Sequence, residues 1–256
     1  MQILKTEHLN IGYQNKKNII IGKDINIEVN QPKLITLIGK NGVGKSTLLR
    51  TLAGVQYPLN GNVYLQNRTL YDYTNEALSK QISIVLTEKI PPSNLTVYEV
   101  LALSRQIYTN WIGSLTETDK NQINKALILC EITNLKEKKI DELSDGQFQK
   151  VMLARAIAQD TPIIILDEPT AHLDIINKIE IFHLLKKLSE TEHKLIICSS
   201  HEIQLCLHYA SEMWLMTKNE LITENKQTVL EKNLLTKIFN SDLIEFDPKT
   251  KQFIYK

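Results

Sequence analysis

The sequence carries almost no net charge: 30 Lys and Arg stand against 29 Asp and Glu, leaving +1 over 256 residues. No general electrostatic attraction to nucleic acid, an acidic membrane or another polyanion is therefore expected. Cysteine is scarce as well, with only Cys130, Cys198 and Cys206. They form no C-x-x-C pair and leave an odd thiol, which argues against a disulfide framework or a zinc site and points to a reducing compartment, the cytoplasm. Long apolar runs are missing. The stretch 163–166 is far too short to span a bilayer, and the first ten residues mix polar and apolar side chains without a signal core, so the chain is not expected to cross a membrane itself. There is no internal repeat, no low-complexity segment and no long linker. The remaining composition, 43% hydrophobic and 23% charged, is that of a globular protein able to bury a sizeable core in one large domain or two smaller ones.

The most informative stretch is Gly39-Lys40-Asn41-Gly42-Val43-Gly44-Lys45-Ser46, followed by Thr47. It satisfies the phosphate-loop pattern G-x-x-x-x-G-K-[ST] and directly follows a strand-like run, 34–38. The three glycines let backbone amides turn towards phosphate oxygens where a side chain would obstruct or strain the loop. Lys45 opens a helix predicted over 45–53, whose first amides and partial positive charge favour the same phosphates that the ammonium reaches. Ser46 is placed to hold magnesium.

Before this loop, Ile25, Ile27 and Val29 alternate with polar residues, and 3–9 is a weaker strand candidate, so an antiparallel edge sheet is expected. Tyr13, at the end of that first strand, offers either a stacking face for a base or a ring packed into the sheet edge. Beyond the helix, Gly54, Pro58 and Gly61 mark turns, 62–66 reads as a return strand, and 82–86 as the next buried strand. Between about 95 and 140 the only glycine is Gly113. There Thr96 with Glu99, and Thr116 with Asp119, have the spacing of capping boxes, which predicts a helical subdomain. Leu143-Ser144-Asp145-Gly146-Gln147 then precedes a helix reaching about Ala158, with Ser144 and Gln147 again spaced as a capping box.

The run 163–166 is continuously apolar and ends in Asp167 and Glu168, as for a parallel strand delivering two carboxylates to its carboxyl end, where ligands bind in such sheets. Asp167 suits a magnesium ion, and Glu168 suits orienting or deprotonating a water. A helix near 175–190 and a buried strand over 194–199 follow. The strand ends at Ser200-His201, which brings another polar side chain to the same edge. A turn at 247–250 predicts a closing hairpin.

Taken in order, these elements resemble the nucleotide-binding subunit of ATP-binding cassette (ABC) transporters over roughly 3–240. The resemblance identifies Gly39 to Ser46 as the Walker A loop, 163–167 as the Walker B strand with Glu168 as catalytic carboxylate, and Leu143 to Gln147 as the family signature. It likewise makes Asp174 the D-loop aspartate, His201 the switch histidine and Tyr13 the adenine-stacking aromatic. The implied fold is α/β: a P-loop NTPase core with a mainly parallel central sheet, an antiparallel β edge sheet and a helical subdomain of about 95–158 inserted into a 1–240 ATPase domain, with 241–256 as a short extension. ATP and Mg2+ are the implied cofactors, with Lys45, Glu168 and His201 catalytic and Ser46 and Asp167 on the metal. The nucleotide would lie between one chain's loop and Ser144, Gly146 and Gln147 of a second copy.

An L-S-x-G-Q signature ahead of Walker B separates this family from kinases and GTPases. Two departures stand out: Asp145 replaces the usual signature glycine, and Leu86-Thr87-Glu88 stands where the family has a strand-end glutamine, leaving Thr87 or Glu88 to supply an oxygen ligand. The stretch 108–113 with Trp111, and the helix start at Leu115-Thr116, resemble importers of iron-siderophore, haem and cobalamin. That subfamily implies a homodimer beneath integral-membrane permease subunits on the cytoplasmic face, fed by a substrate-binding protein, with no nucleic-acid partner. A soluble ABC ATPase of cofactor or cluster assembly, and a nucleotide-binding regulator without turnover, remain as alternatives.

Overall fold

A computed structural model describes residues 2–14, 18–86, 94–109, 114–218, 220–239, 244–247 and 250–255. Its centre is a six-stranded sheet. In chain order the strands are β3 (Leu34–Gly39), β6 (Ile82–Val85), β7 (Ile163–Leu166), β8 (Leu195–Ser199), β9 (Glu212–Met216) and β10 (Leu221–Asn225). They lie in the order β10-β9-β3-β8-β7-β6, all parallel except β10, which turns back antiparallel to β9. Both faces of this sheet are covered, which explains why its strands read as unbroken apolar runs rather than alternating ones. Leu34, Ile38, Ile164, Leu166, Ile196 and Cys198 join the core on one face; Ile35, Leu37, Ile163, Ile165, Leu195 and Ile197 join that on the other.

The second face is closed by a separate antiparallel sheet of β1 (Leu4–Tyr13), β2 (Ile19–Val29), β4 (Asn60–Leu65) and β5 (Arg68–Thr69), ordered β2-β1-β4-β5, with helix α1 (Lys45–Leu52). β1 is longer than its alternation suggested. Its register shifts between Thr6 and Leu9, and His8 has φ of 47°, so a bulge interrupts the two-residue period while the strand runs on to Tyr13. One sequence expectation needs correcting: β6 is the edge of the central sheet rather than a buried strand, and Ile84 and Val85 are only half-buried.

On the first face lie the helices, beginning after the short α2 (Asn75–Ser79) with α3 (Val97–Leu103), α4 (Glu117–Leu129) and α5 (Asp145–Ala158). Each begins at the capping box read from the sequence: Thr96 with Glu99, Thr116 with Asp119, and Ser144 with Gln147. A buried ion pair ties the three together. Arg105 Nε donates to Asp119 Oδ1 at 2.9 Å and its Nη1 to the Ala158 carbonyl at 2.8 Å, with the guanidinium 4.0 Å from the Tyr108 ring centre. Removing one partner of such a pair strands a buried charge, at a cost of roughly 3–5 kcal/mol.

Helices α6 (Ile175–Thr191) and α7 (Ile203–Tyr209) pack on the same face, followed by α8 (Lys226–Glu231), α9 (Leu234–Phe239) and a two-stranded hairpin, β11 (Ile244–Asp247) with β12 (Gln252–Tyr255). Among the described residues no helix is long and apolar enough to cross a membrane.

Candidate functional site

The carboxyl ends of β3, β7 and β8 converge because the three strands are parallel neighbours in the central sheet. Each contributes a polar terminus to one edge. The loop after β3 depends on glycine for two distinct reasons. Gly44 caps α1 with φ of 112°, a conformation that L side chains rarely adopt. Gly39 has no such backbone need, but a Cβ there would meet the Met216 carbonyl oxygen at 2.5 Å, so β9 leaves room for nothing larger. No side chain caps the start of α1, and its first-turn amides are therefore open to an anion.

Lys45 is nearly fully buried and turns back on the loop, where its Nζ donates to the carbonyl oxygens of Gly39 at 3.0 Å and Lys40 at 3.4 Å. It lies 3.2 Å from His201 Nε2 and 3.9 Å from Glu168 Oε1. Burial lowers the Lys45 pKa, and the carboxylates of Glu168 and Asp167 oppose that shift. His201 Nε2 is also 2.7 Å from Glu168 Oε1, within hydrogen-bond distance. A cation, an imidazole and a carboxylate are thus assembled from three strand ends. Glu168 itself has φ of 50°, the kind of strained backbone found at functional sites.

Asp167 and Glu168 separate as their adjacency predicts. Asp167 is buried, its N–H donating to the Val85 carbonyl at 2.8 Å, while Glu168 is partly exposed. One carboxylate oxygen of Asp167, Oδ1, accepts from Ser199 Oγ at 2.7 Å; the other, Oδ2, is buried without a hydrogen-bond partner. An orphaned buried carboxylate oxygen is costly unless something charged meets it, and it fits a Mg2+ ion held by one protein carboxylate, a hydroxyl such as that of exposed Ser46, and phosphate oxygens. Among the described residues no cluster of three or more His, Cys, Asp or Glu side chains that could hold a metal ion occurs. Ser199 was missed in the sequence; the signal was a polar residue closing an otherwise apolar strand.

Tyr13, at the end of β1, is brought to the same loop: its hydroxyl lies 3.2 Å from Thr47 Oγ1, within hydrogen-bond reach, and the residue stays 46% exposed. Lys40, Asn41 and Gly42 are exposed, while Val43 is buried as a wedge under the loop.

Ser144, Gly146, Gln147 and Asp174 lie elsewhere. The Ser144 side chain accepts from Gln147 N–H at 3.3 Å, and Ser144 N–H donates to Gln147 Oε1 at 3.2 Å. The start of α5 therefore carries the capping box that the spacing of Ser144 and Gln147 predicts, and part of its polar inventory is already satisfied. Asp174 caps α6 instead of joining the phosphate loop: its carboxylate accepts from Asn177 N–H at 2.9 Å and from Asn177 Nδ2 at 2.7 Å. Those bonds hold its pKa below the usual range. Asn177, also unforeseen, packs on Gly146, where a Cβ would approach its Nδ2 to 3.3 Å. Asp145 is the exposed first residue of α5, an ordinary helical position, so no unusual backbone angle is needed there. An acid in a helix's first turn is electrostatically favourable. Thr87, Glu88 and Trp111 fall outside the described residues.

A family model described as ABC transporter matches residues 22–171, the span that holds the glycine-bounded loop, the buried lysine and the two divergent acids. The chain belongs to the ABC transporter ATP-binding family. An uncharacterised ABC transporter ATP-binding protein of Methanocaldococcus jannaschii is 38% identical over 239 residues, covering 93% of this cassette and 81% of that protein. The iron(3+)-hydroxamate import ATP-binding protein of Bacillus subtilis is 33% identical over 254 residues, covering 98% and 93%. Among solved structures, an inward-facing putative metal-chelate type ABC transporter superposes with a TM-score of 0.81 at 25% identity, covering 99% of this chain and 96% of that one. As a member of the family the cassette binds ATP and is an ATPase.

Proposed function

We propose that the cassette powers an importer of a metal chelate, of the iron-siderophore, haem or cobalamin kind, from the cytoplasmic face of the membrane. It does so as a head-to-tail pair of identical chains beneath separate permease subunits that receive cargo from a substrate-binding protein. The observation that carries the ATPase half is the Lys45, Glu168 and His201 cluster; similarity over nearly the whole chain to a protein named for iron(3+)-hydroxamate import supports the cargo class. Residues 1–240 form the cassette on this reading, with about 95–158 as its helical subdomain.

Each residue's task follows from its position. Gly39, Lys40, Asn41, Gly42, Val43 and Gly44 shape the loop whose amides bind the phosphates, and Lys45 neutralises them. Ser46 and Asp167 hold Mg2+, which supplies charge neutralisation on the transferred phosphoryl group. Glu168 takes the proton of the attacking water at its carboxylate, and His201 Nε2 holds that carboxylate in place. Tyr13 and Thr47 flank the nucleoside end. Ser144, Gly146 and Gln147 face the loop of the second copy, with Asp174 supporting them through Asn177. Exposed Ile175, Ile176 and Ile179 at the start of α6 give that second copy an apolar surface to cover.

Co-expression with its permease decides between this reading and a soluble assembly ATPase. Co-purification with an integral-membrane protein, together with ATP-dependent uptake of radiolabelled iron-siderophore that Glu168→Gln abolishes, is the expected result. A cassette that purifies with soluble partners only and supports no chelate uptake overturns it.

A further inference from the structure

We infer that Ser199 is a positioning residue for hydrolysis, setting both acidic side chains of the site through one hydroxyl. Ser199 is fully buried at the end of β8. The Glu168 backbone N–H donates to Ser199 Oγ at 2.8 Å, and Ser199 Oγ–H donates to Asp167 Oδ1 at 2.7 Å. The two bonds form a directed relay across parallel strands, from the amide of one acid through the hydroxyl to the carboxylate of the other. Because the hydroxyl has a single proton and already accepts from Glu168, its donation to Asp167 is fixed in direction.

The relay has two consequences. At Asp167 it engages Oδ1 and leaves the buried Oδ2 without a partner, so that the plane of the carboxylate is set and one chosen oxygen is presented to a cation. At Glu168 it anchors the N–H of a residue whose φ of 50° would otherwise be free to relax, and that backbone carries the carboxylate to His201. Ser199 thus acts as a partner for the metal-binding acid and as a brace for the base, through the Asp167 carboxylate and the Glu168 backbone. Loss of such partners costs typically about 10–100-fold in metal affinity or activity.

The inference rests on the assignment of Asp167 and Glu168 above, and the experiment keeps the two apart. Ser199→Ala, Ser199→Thr, Asp167→Asn and Glu168→Gln are made in the full chain, and each is measured for Mg2+ concentration at half-maximal ATPase rate, kcat, Mn2+ binding by paramagnetic resonance in the presence of ATP, and binding of a fluorescent ATP analogue in EDTA. For Ser199→Ala the expected result is a rise of about tenfold or more in the Mg2+ requirement, a matching loss of Mn2+ affinity and a lower kcat. Nucleotide affinity in EDTA should stay within about twofold, since no contact of Ser199 reaches the phosphate loop. Ser199→Thr, which keeps the hydroxyl and suits a strand, is expected to retain the parent's metal requirement.

A purely structural role would lower thermal stability without moving the metal titration of the folded fraction. Should Ser199→Ala not fold by circular dichroism, Ser199→Cys, a weaker donor of similar shape, takes its place with an intermediate shift expected. Parent-like Mg2+ and Mn2+ titrations in the alanine or cysteine variant, or a threonine variant as impaired as alanine, overturn the inference. If Asp167→Asn and Glu168→Gln are also silent, the site assignment itself falls; if they are damaging and Ser199→Ala is not, only the role of Ser199 does.

Discussion

Two helix starts that the family resemblance places on the nucleotide differ in the structure. At the start of α1, Gly44 supplies no side-chain cap and the neighbouring groups, Lys45, Asp167, Glu168 and His201, arrive from three different strands. At the start of α5, Ser144 and Gln147 cap each other, and Asn177 of α6, bonded to Asp174, packs on Gly146. The first is uncapped beside a buried cation; the second is capped and carries an acid, Asp145. A helix end with open amides beside a buried cation is built to receive an anion, whereas the exposed, self-capped end of α5, with an acid, Asp145, in its first turn, has no such cation beside it. This difference is what a composite site shared between two chains requires of each half.

The largest effect that would test the contrast is at Lys45. Lys45→Ala should lower ATP hydrolysis by at least about 10²–10³-fold and weaken ATP binding with the fold intact by circular dichroism; unchanged turnover would remove the α1 side from the chemistry. Glu168→Gln keeps the side chain's shape and removes the base, so hydrolysis should fall by a similar factor while ATP binding persists. An ATP-dependent dimer should then accumulate, visible by light scattering, and a protein that stays monomeric in saturating ATP and Mg2+ even with its permease would contradict the shared site.

Ser144→Arg sharpens the other half. Added to Glu168→Gln, it should disperse that dimer while each chain still binds ATP with roughly parental affinity, because α5 lies away from its own loop. A loss of monomer binding would mean that the two starts act within one chain. Tyr13→Ala is expected to raise the ATP dissociation constant by about five- to 150-fold, as loss of stacking worth ~1–3 kcal/mol implies, and Tyr13→Trp to leave it near parental. Equal affinity of the alanine variant and the parent would make the tyrosine a packing residue. The smallest effect is expected from Asp145→Gly, since Asp145 is exposed and helical: the ATPase rate should change by less than about threefold, and a larger change would show that this carboxylate faces the opposing phosphates.

Much of the site is legible in the order of its amino acids because its pieces are local. The phosphate loop, the paired acids, the signature and the capping boxes each depend on residues within a few positions of one another, and backbone preference and hydrogen-bond reach impose their spacing. Ser199 and Asn177 are not legible in this way. Their roles exist only across strands or helices: Ser199 matters because β8 lies beside β7, and Asn177 because α6 begins against α5. The bulge at His8 hides the true length of β1 for a related reason, since a single extra residue breaks the two-residue period without ending the strand.

By itself, the amino-acid sequence determined the kind of chemistry this protein can perform and the family to which it belongs, for motif spacing is a property of the chain and does not depend on how its elements pack. Tertiary structure alone decided which groups meet. It placed Lys45, Glu168 and His201 within reach of one another, left one oxygen of Asp167 buried and unpartnered, and bonded Asp174 to Asn177 as the cap of α6. The physical reason is that strand order in a sheet is set by burial of both faces and not by distance along the chain, so residues 45, 168 and 201 become neighbours only once β3, β7 and β8 have packed.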